Sequence, residues 1–316
     1  MHQQTNFSDS AYTKKKKQTR KERFLGEMDK LLPWKRLLKP IYTHYPKAGN
    51  GRRPIPAEVM LRIYFLQHWY DLSDPAMEDS LYDVEPMRRF AGIDIEHVPD
   101  ETTILHFRHF LERHRLTETL FQCSTEYLST RGLLLREGTI VDASIIHAPG
   151  STKNRDRQRD PEMKHTKKGN RWYFGMKAHI GTDTQGRVHT VVVTDASVHD
   201  SQIMEDCLHG EEKAIYGDKA YACEERKQAA QRQGINWRVH RKAKRGRKLN
   251  CADRSFNRKS NRTRARVEHA FGIVKHLWGY RKVRYRGLDK NAAQVFTLFA
   301  LANFYKVRHV LLAATG

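Results

Sequence analysis

The sequence predicts an α+β protein, in which an N-terminal helical part is followed by a mixed sheet flanked by helices. Three observations lead there. From Pro54 to about Gly132, apolar residues recur at the three-to-four spacing of helices packed on a core. After Gly132 the period changes to that of strands. From about His199, strand-like and helix-like runs alternate. With 316 residues, 39% of them hydrophobic, the chain can fill one large or two moderate domains.

Residues 1–30 are polar and basic, with Lys14 to Lys17 consecutive, and read as a flexible arm. Residues 31–132 read as a helical domain. Val59, Ile63, Leu66 and Tyr70 share one face in "PAEVMLRIYFLQHWYDLSD"; Pro75 suits the first turn of the next helix; Ile104, Phe107 and Leu111 mark a third. A fourth, over 117–131, stops at Gly132, where a glycine C-cap belongs. Short helices carrying arginines suit a DNA-binding domain, with a helical scaffold that touches no DNA as the alternative.

Residues 133–316 form the sheet domain. "GTIVDASII" is a strand, and "RWYFGMKAHIGTD" alternates, with Trp172, Phe174, Met176, Ala178 and Ile180 on one face and Tyr173, Lys177 and His179 on the other. "RVHTVVVTDAS" returns from it as a hairpin. A helix near "HDSQIMEDCLHG", a strand "KAIYGDKAY", a helix "CEERKQAAQRQG" and a strand "NWRVHRK" follow. Three early strands and then alternation match an RNase H-like sheet. Residues 241–262 read as a basic loop, and "NAAQVFTLFALANFYKVRHVLL" as a C-terminal helix covering the sheet. Trp172 is expected in the core, with base stacking by Trp172 or Tyr173 as the other reading. His179 and His189 are expected to face solvent or DNA, and Asp200 to cap a helix.

Charge limits the partner. Lysine and arginine number 58 against 36 acidic residues, a net charge of +22 and a pI near 9.9, which favours a polyanion. No run of 18 apolar residues suggests a membrane span, and the N-terminal basic cluster is followed by no apolar stretch of a signal peptide, so a cytoplasmic protein is expected. Cys123, Cys207, Cys223 and Cys251 form no C-x-x-C pair and read as reduced thiols.

Within the strand "GTIVDASII", Asp142 stands out. An ionised carboxylate in a sheet costs several kcal/mol, on the order of the buried-ion penalty, unless a cation, a metal or hydrogen bonds compensate it. Asp218, at the carboxyl end of "KAIYGDKAY", belongs to the strand that would run parallel beside it. Two neighbouring carboxylates repel unless cations lie between them, and magnesium takes oxygen ligands. Glu268 follows, on a helix whose apolar stripe is Val267, Phe271, Val274 and Leu277. Each residue also has a plainer reading: Asp218 as a turn aspartate, and Glu268 as the partner of Arg264 one helical turn earlier.

The order Asp142, Asp218, Glu268, together with "LQHWYDLSD", "PDETTILHFRHFLE", "DASIIHAPGSTKN", "RDPEMKHTKKGNRWYFGMKAHIGTD", "YGDKAY" and "NRTRARVEHAFGIVK", resembles the DDE transposases of bacterial insertion sequences, in particular the group typified by insertion sequence 5. The resemblance runs from about Pro54 to Leu312. It implies Asp142, Asp218 and Glu268 as a triad holding magnesium, with manganese able to substitute. It further implies binding of terminal inverted repeats, hydrolysis at the element's ends, joining of the 3′-OH to target DNA, and a homodimer or larger assembly on DNA. In the group's signature Tyr-x2-Arg-x3-Glu-x6-Lys, Arg264, Glu268 and Lys275 keep the spacing, while Asn261 stands at the tyrosine position. Arg264 and Lys275 would share a helical face and hold phosphate. Further phosphate contacts are expected from Arg262, Arg266 and Lys177, and from Arg241, Lys242, Lys244 and Arg245. A hydrolysis-only nuclease on the same fold, or an inert DNA-binding protein, are the competing readings.

Overall fold

A computed structural model describes residues 15–49, 53–155, 157–243 and 246–315. Its first helix, α1 (Arg20–Leu31), starts from a capping box. The Glu22 N–H donates to Thr19 Oγ1 at 3.2 Å, and the Glu22 carboxylate accepts from the Thr19 N–H at 3.3 Å. Leu25, Met28 and Leu31, three residues apart, are buried. The flexible arm expected over 1–30 is therefore wrong for residues 20–30, because three apolar residues at helical spacing suffice to dock a capped helix; residues 1–14 lie outside the described residues.

Six helices follow: α2 (Trp34–His44), α3 (Ala57–Tyr70), α4 (Asp74–Asp83), α5 (Glu85–Ala91), α6 (Glu101–Arg113) and α7 (Leu116–Thr130). Local chemistry sets their ends. Ser73 caps α4 ahead of Pro75, Asp100 caps α6, and the chain leaves α7 through Gly132 at φ 67°. α3 is apolar nearly all round and lies at the centre of this half, with Leu61, Ile63 and Leu66 fully buried.

The sheet has six strands: β1 (Thr139–His147), β2 (Lys164–Lys168), β3 (Arg171–Thr182), β4 (Val188–Asp195), β5 (Ala214–Tyr216) and β6 (Asn236–Trp237). β3 lies antiparallel to β1, β2 and β4, while β5 runs parallel to β1 and β6 parallel to β5. The architecture is thus α+β, with an N-terminal helical region and a mixed sheet, as the sequence predicts. Pairing along β6 continues past its last residue: the Arg238 N–H donates to Ile215 O at 2.7 Å and the His240 N–H to Gly217 O at 3.0 Å.

Four local expectations are corrected. The segment around "HDSQIMEDCLHG" forms two 3₁₀ turns, Asp200–Ile203 and Glu205–Cys207, with His199 rather than Asp200 as the cap. Most of the expected basic loop is α9 (Cys251–Arg264), started by Asn250, whose side chain accepts from the Asp253 N–H at 2.6 Å. α8 (Glu224–Arg232) precedes it, and α10 (Val267–Gly272) follows after a break at Ala265 and Arg266. β2 arises inside a charged stretch that has no apolar alternation to reveal it.

The last helix, α11 (Leu288–Thr315), covers the sheet and also joins the helical half. Asn303 pairs with both main-chain groups of Val188 on β4, at 2.7 and 2.6 Å. On another side Thr297 Oγ1 meets the Tyr64 hydroxyl of α3 at 3.3 Å, and Phe296 packs on Phe121 of α7. Residues Leu288–Ala313 are long and apolar enough to cross a membrane by length and composition, but Val295, Leu298, Phe299, Leu301 and Phe304 are spent on the protein's own core. One hydrophobic cluster runs through both halves.

Candidate active site

The site lies where β1 and β5 run side by side. Ile140 is paired with Tyr216 in parallel register. Two residues further along each chain come Asp142, still within β1, and Asp218, two residues past the end of β5. The charge of Asp218 acts on Asp142, whose carboxyl is pushed up to about 6, chiefly by burial; the Ala143 N–H bond and the charges of Arg264 and Lys168 oppose the rise. Asp218 accepts the Ala220 N–H at 2.6 Å and caps a short 3₁₀ turn, so the turn role considered from sequence is present as well.

Glu268, at the start of α10, is joined to this pair through Arg264. Its guanidinium donates to Glu268 Oε1 at 2.8 Å and stands 3.5 Å from Asp142 Oδ2. Arg264 Nε also bonds Asn261 Oδ1 at 3.2 Å, so the asparagine in the signature's tyrosine position helps hold the arginine. The three acidic residues are brought into one neighbourhood, with a guanidinium between two of them. Among the described residues no three His, Cys, Asp or Glu side chains converge on one point at metal-binding range.

Lys275 reaches β1 from a π-helical turn at Ile273–Leu277. Its Nζ donates to Ser144 Oγ at 2.8 Å and to Ile145 O at 2.6 Å, and burial with the charges of Lys168 and Arg281 lowers its pKa to about 8. Because the helix breaks after Arg264 and widens at Ile273, Arg264 and Lys275 do not share the single helical face expected of a continuous helix.

Other expected DNA contacts divide. Arg262, Arg266, Arg241 and Lys242 are exposed; Arg266 bonds Thr184 O at 2.6 Å and Arg241 is paired with Asp253. Lys244 and Arg245 lie outside the described residues. Lys177 is buried and tied to Asp200 at 2.8 Å and Val198 O at 2.7 Å, so it is not placed to meet phosphate. His179 is 1% exposed, bonded to Thr194, and lowered by burial to about 4; His189 is bonded to Thr139 and likewise lowered to about 4. His179 is thus closed off from solvent, and His189 is half-buried. Trp172, expected in the core, is 68% exposed.

Two neighbours of the acidic residues were not apparent from sequence. The Tyr221 hydroxyl is buried without a hydrogen-bond partner among the described residues, and burial together with the charges of Asp142 and Asp218 raises its pKa. His240 lies where both Asp218 and Arg264 act on it, and burial lowers its pKa. Tyr221 stands three residues after Asp218 in "YGDKAY", the one signal that could have pointed to it; His240 is brought in by strand pairing alone.

A chain of net charge +22 suits a polyanionic partner. The family is specific. Residues 134–304, more than half of the chain, match the transposase DDE domain, and residues 13–110 match a second family described as "Transposase domain (DUF772)". The chain belongs to the transposase DDE domain family, an enzyme family of DNA transposition. Such transposases generally use a divalent metal ion. The donor set here fits one: Asp142 and Asp218 offer only carboxylate oxygens, the choice of hard cations, and the raised pKa of Asp142 reports a buried carboxylate short of positive charge.

Proposed function

We propose that the chain is the transposase of an insertion sequence of the insertion sequence 5 group, which binds the element's terminal inverted repeats, cuts at its ends and joins the freed 3′-OH to target DNA. Asp142, Asp218 and Glu268 are the catalytic triad. The observation that supports this reading is the parallel pairing of Ile140 with Tyr216, two residues before Asp142 and Asp218, together with Arg264, which pairs with both Asp142 and Glu268.

In this reading Asp142, Asp218 and Glu268 hold magnesium, for which manganese substitutes. When bound, the metal lowers the pKa of the attacking water or hydroxyl and stabilises the leaving oxygen. Glu268 turns from Arg264 toward Asp142 and Asp218, and Arg264 is freed to hold a phosphate oxygen in a bidentate grip. Lys275, anchored to Ser144 and Ile145, fixes the helix carrying Glu268 against β1. Arg262, Arg241 and Lys242 neutralise backbone phosphates along the same side, so binding falls steeply with salt. The helical half, residues 31–132, binds the terminal repeat, residues 133–316 do the chemistry, and two copies or more bring two ends together.

The test is incubation of the purified protein with magnesium or manganese, labelled terminal-repeat DNA and a target plasmid, beside Asp142→Ala. End-specific nicks and joined products that vanish in the variant are expected. Nicks without joined products would replace the transposase by a hydrolysis-only nuclease, and binding without cleavage in both proteins would leave a DNA-binding protein with an inert site.

A further inference from the structure

β3 changes character at Gly175. From Gly175 to Thr182 it lies between β1 and its other neighbours, but β1 ends where His147 faces Gly175, and beyond that point β3 pairs with β2 alone. Lys164 to Phe174 therefore leave the sheet as a two-stranded ribbon. The departure is built in: a Cβ at Gly175 would meet Ile146 O at 2.1 Å, so the chain there admits only glycine. A two-residue turn closes the ribbon, with Gly169 at φ 62° in its first position.

The ribbon's composition is costly for a free surface. Its sequence, "KHTKKGNRWYF", has Lys164, Lys167, Lys168 and Arg171 and no acidic residue, and none of the four has an ion-pair partner among the described residues. Lys168 faces Arg171 across the ribbon, a like-charge pair that works against the hairpin. Opposite Lys167 stands Trp172, 68% exposed, with the lysine ammonium 5.9 Å from its ring. The base of the ribbon, in contrast, is braced. Phe174 packs against His165 at 4.8 Å and carries Arg159 over its ring at 5.6 Å, and Tyr173 packs on His147. The ribbon stands on the strand that carries Asp142: Gly175 faces His147, further along β1 from Asp142, and Tyr173 packs on that His147.

We propose that this ribbon is a second DNA-contacting element, in which Trp172 stacks on an unpaired base beside the scissile phosphate while Lys164, Lys167, Lys168 and Arg171 hold the adjoining backbone. The proposal rests on the reading of the chain as a DNA-end-cutting transposase. Four exposed cations on one ribbon with no acidic residue favour a polyanion, and the exposed indole among them offers a flat face that any base fits. A protein partner would be expected to bring an apolar patch to match, and Trp172 is surrounded by charge instead.

The experiment uses the full chain and terminal-repeat duplexes carrying 2-aminopurine at successive positions across the cleavage point. With the wild-type protein, the probe's fluorescence changes at one position next to the cut. In Trp172→Ala that change is lost and binding weakens about tenfold, while Trp172→Phe retains most of both. An abasic nucleotide at that position makes wild type and Trp172→Ala bind alike. If Trp172→Ala reproduces the wild-type signal at every position and binds as tightly, the ribbon proposal is overturned while end cutting by the wild type still stands. A wild-type protein that neither binds nor cuts these ends overturns both.

Discussion

Arg108 and Arg264 each bridge two carboxylates, as Arg62 does with Asp29 and Glu58, and the first two are built to different ends. Arg108, on α6, meets Asp74 at 3.1 Å and Glu112 at 3.1 Å, and its guanidinium lies over the Tyr285 ring at 4.0 Å. Its side chain is 6% exposed and both carboxylates are largely enclosed, with Asp74 also bonded to Gln67 at 2.8 Å. Arg264 meets Glu268 at 2.8 Å but Asp142 only at 3.5 Å, and Glu268 is 59% exposed. The first cluster fastens α4, α6 and the segment before α11. The second leaves a half-buried acid with only a distant guanidinium beside it. The difference teaches that the same residue types can serve as a fastener or a poised site, and that the second carboxylate distinguishes the two: Glu112 is enclosed, Glu268 open to solvent.

The largest effect that would separate them is on activity. Asp142→Ala is expected to lower end cleavage by about a thousandfold or more, whereas Arg108→Ala lowers it only in proportion to the folded fraction, as read by cleavage assays on equal amounts of folded protein. Stability should run the other way. Arg108→Ala strands two enclosed carboxylates and is expected to cost about 3–5 kcal/mol in denaturant unfolding; a loss below about 1 kcal/mol would break the comparison.

Asp142→Asn sharpens it further. The folded pKa of about 6 lies above the ordinary 3.8, so the protonated form favours folding below about pH 4, and that contribution is lost as pH rises through about 6. In metal-free buffer at pH 7 the amide is expected to stabilise the protein by about 1–3 kcal/mol, and below pH 4 the variant and wild type should melt together. The smallest effect is expected from Arg264→Ala. Half of its pairing faces solvent, so unfolding should shift by less than about 1 kcal/mol, while DNA cleavage falls sharply.

Much of this was legible in the sequence because it follows from period and local chemistry. The helices α3, α4, α6 and α7 and the β3–β4 hairpin are written in apolar spacing, capping residues and Gly132. The acidic residues could be named because a carboxylate inside "TIVDASII" demands a partner. What could not be read depends on tertiary context. α1 looks like a basic arm because few apolar residues, Phe24, Leu25, Met28 and Leu31, anchor it, and α9 looks like a loop because Phe256 is its one large apolar residue. Lys177 and His179 fall on a strand face that alternation alone cannot assign to protein or solvent. Trp172 sits on the same strand, and only the end of β1 at His147 makes it exposed. The pairing of Arg264 with Glu268 one turn on is a reading the sequence offers and the structure contains; the approach of Arg264 to Asp142 depends on how the helix docks on β1 and is not written in spacing.

α11 lies against β4 on one side and against α1, α3 and α7 on the other, a wall shared by the helical half and the sheet. A hinge between the two halves would have to break that wall. If, as proposed, one duplex touches both the N-terminal helices and the acidic residues, the curvature is expected from the duplex rather than from the protein.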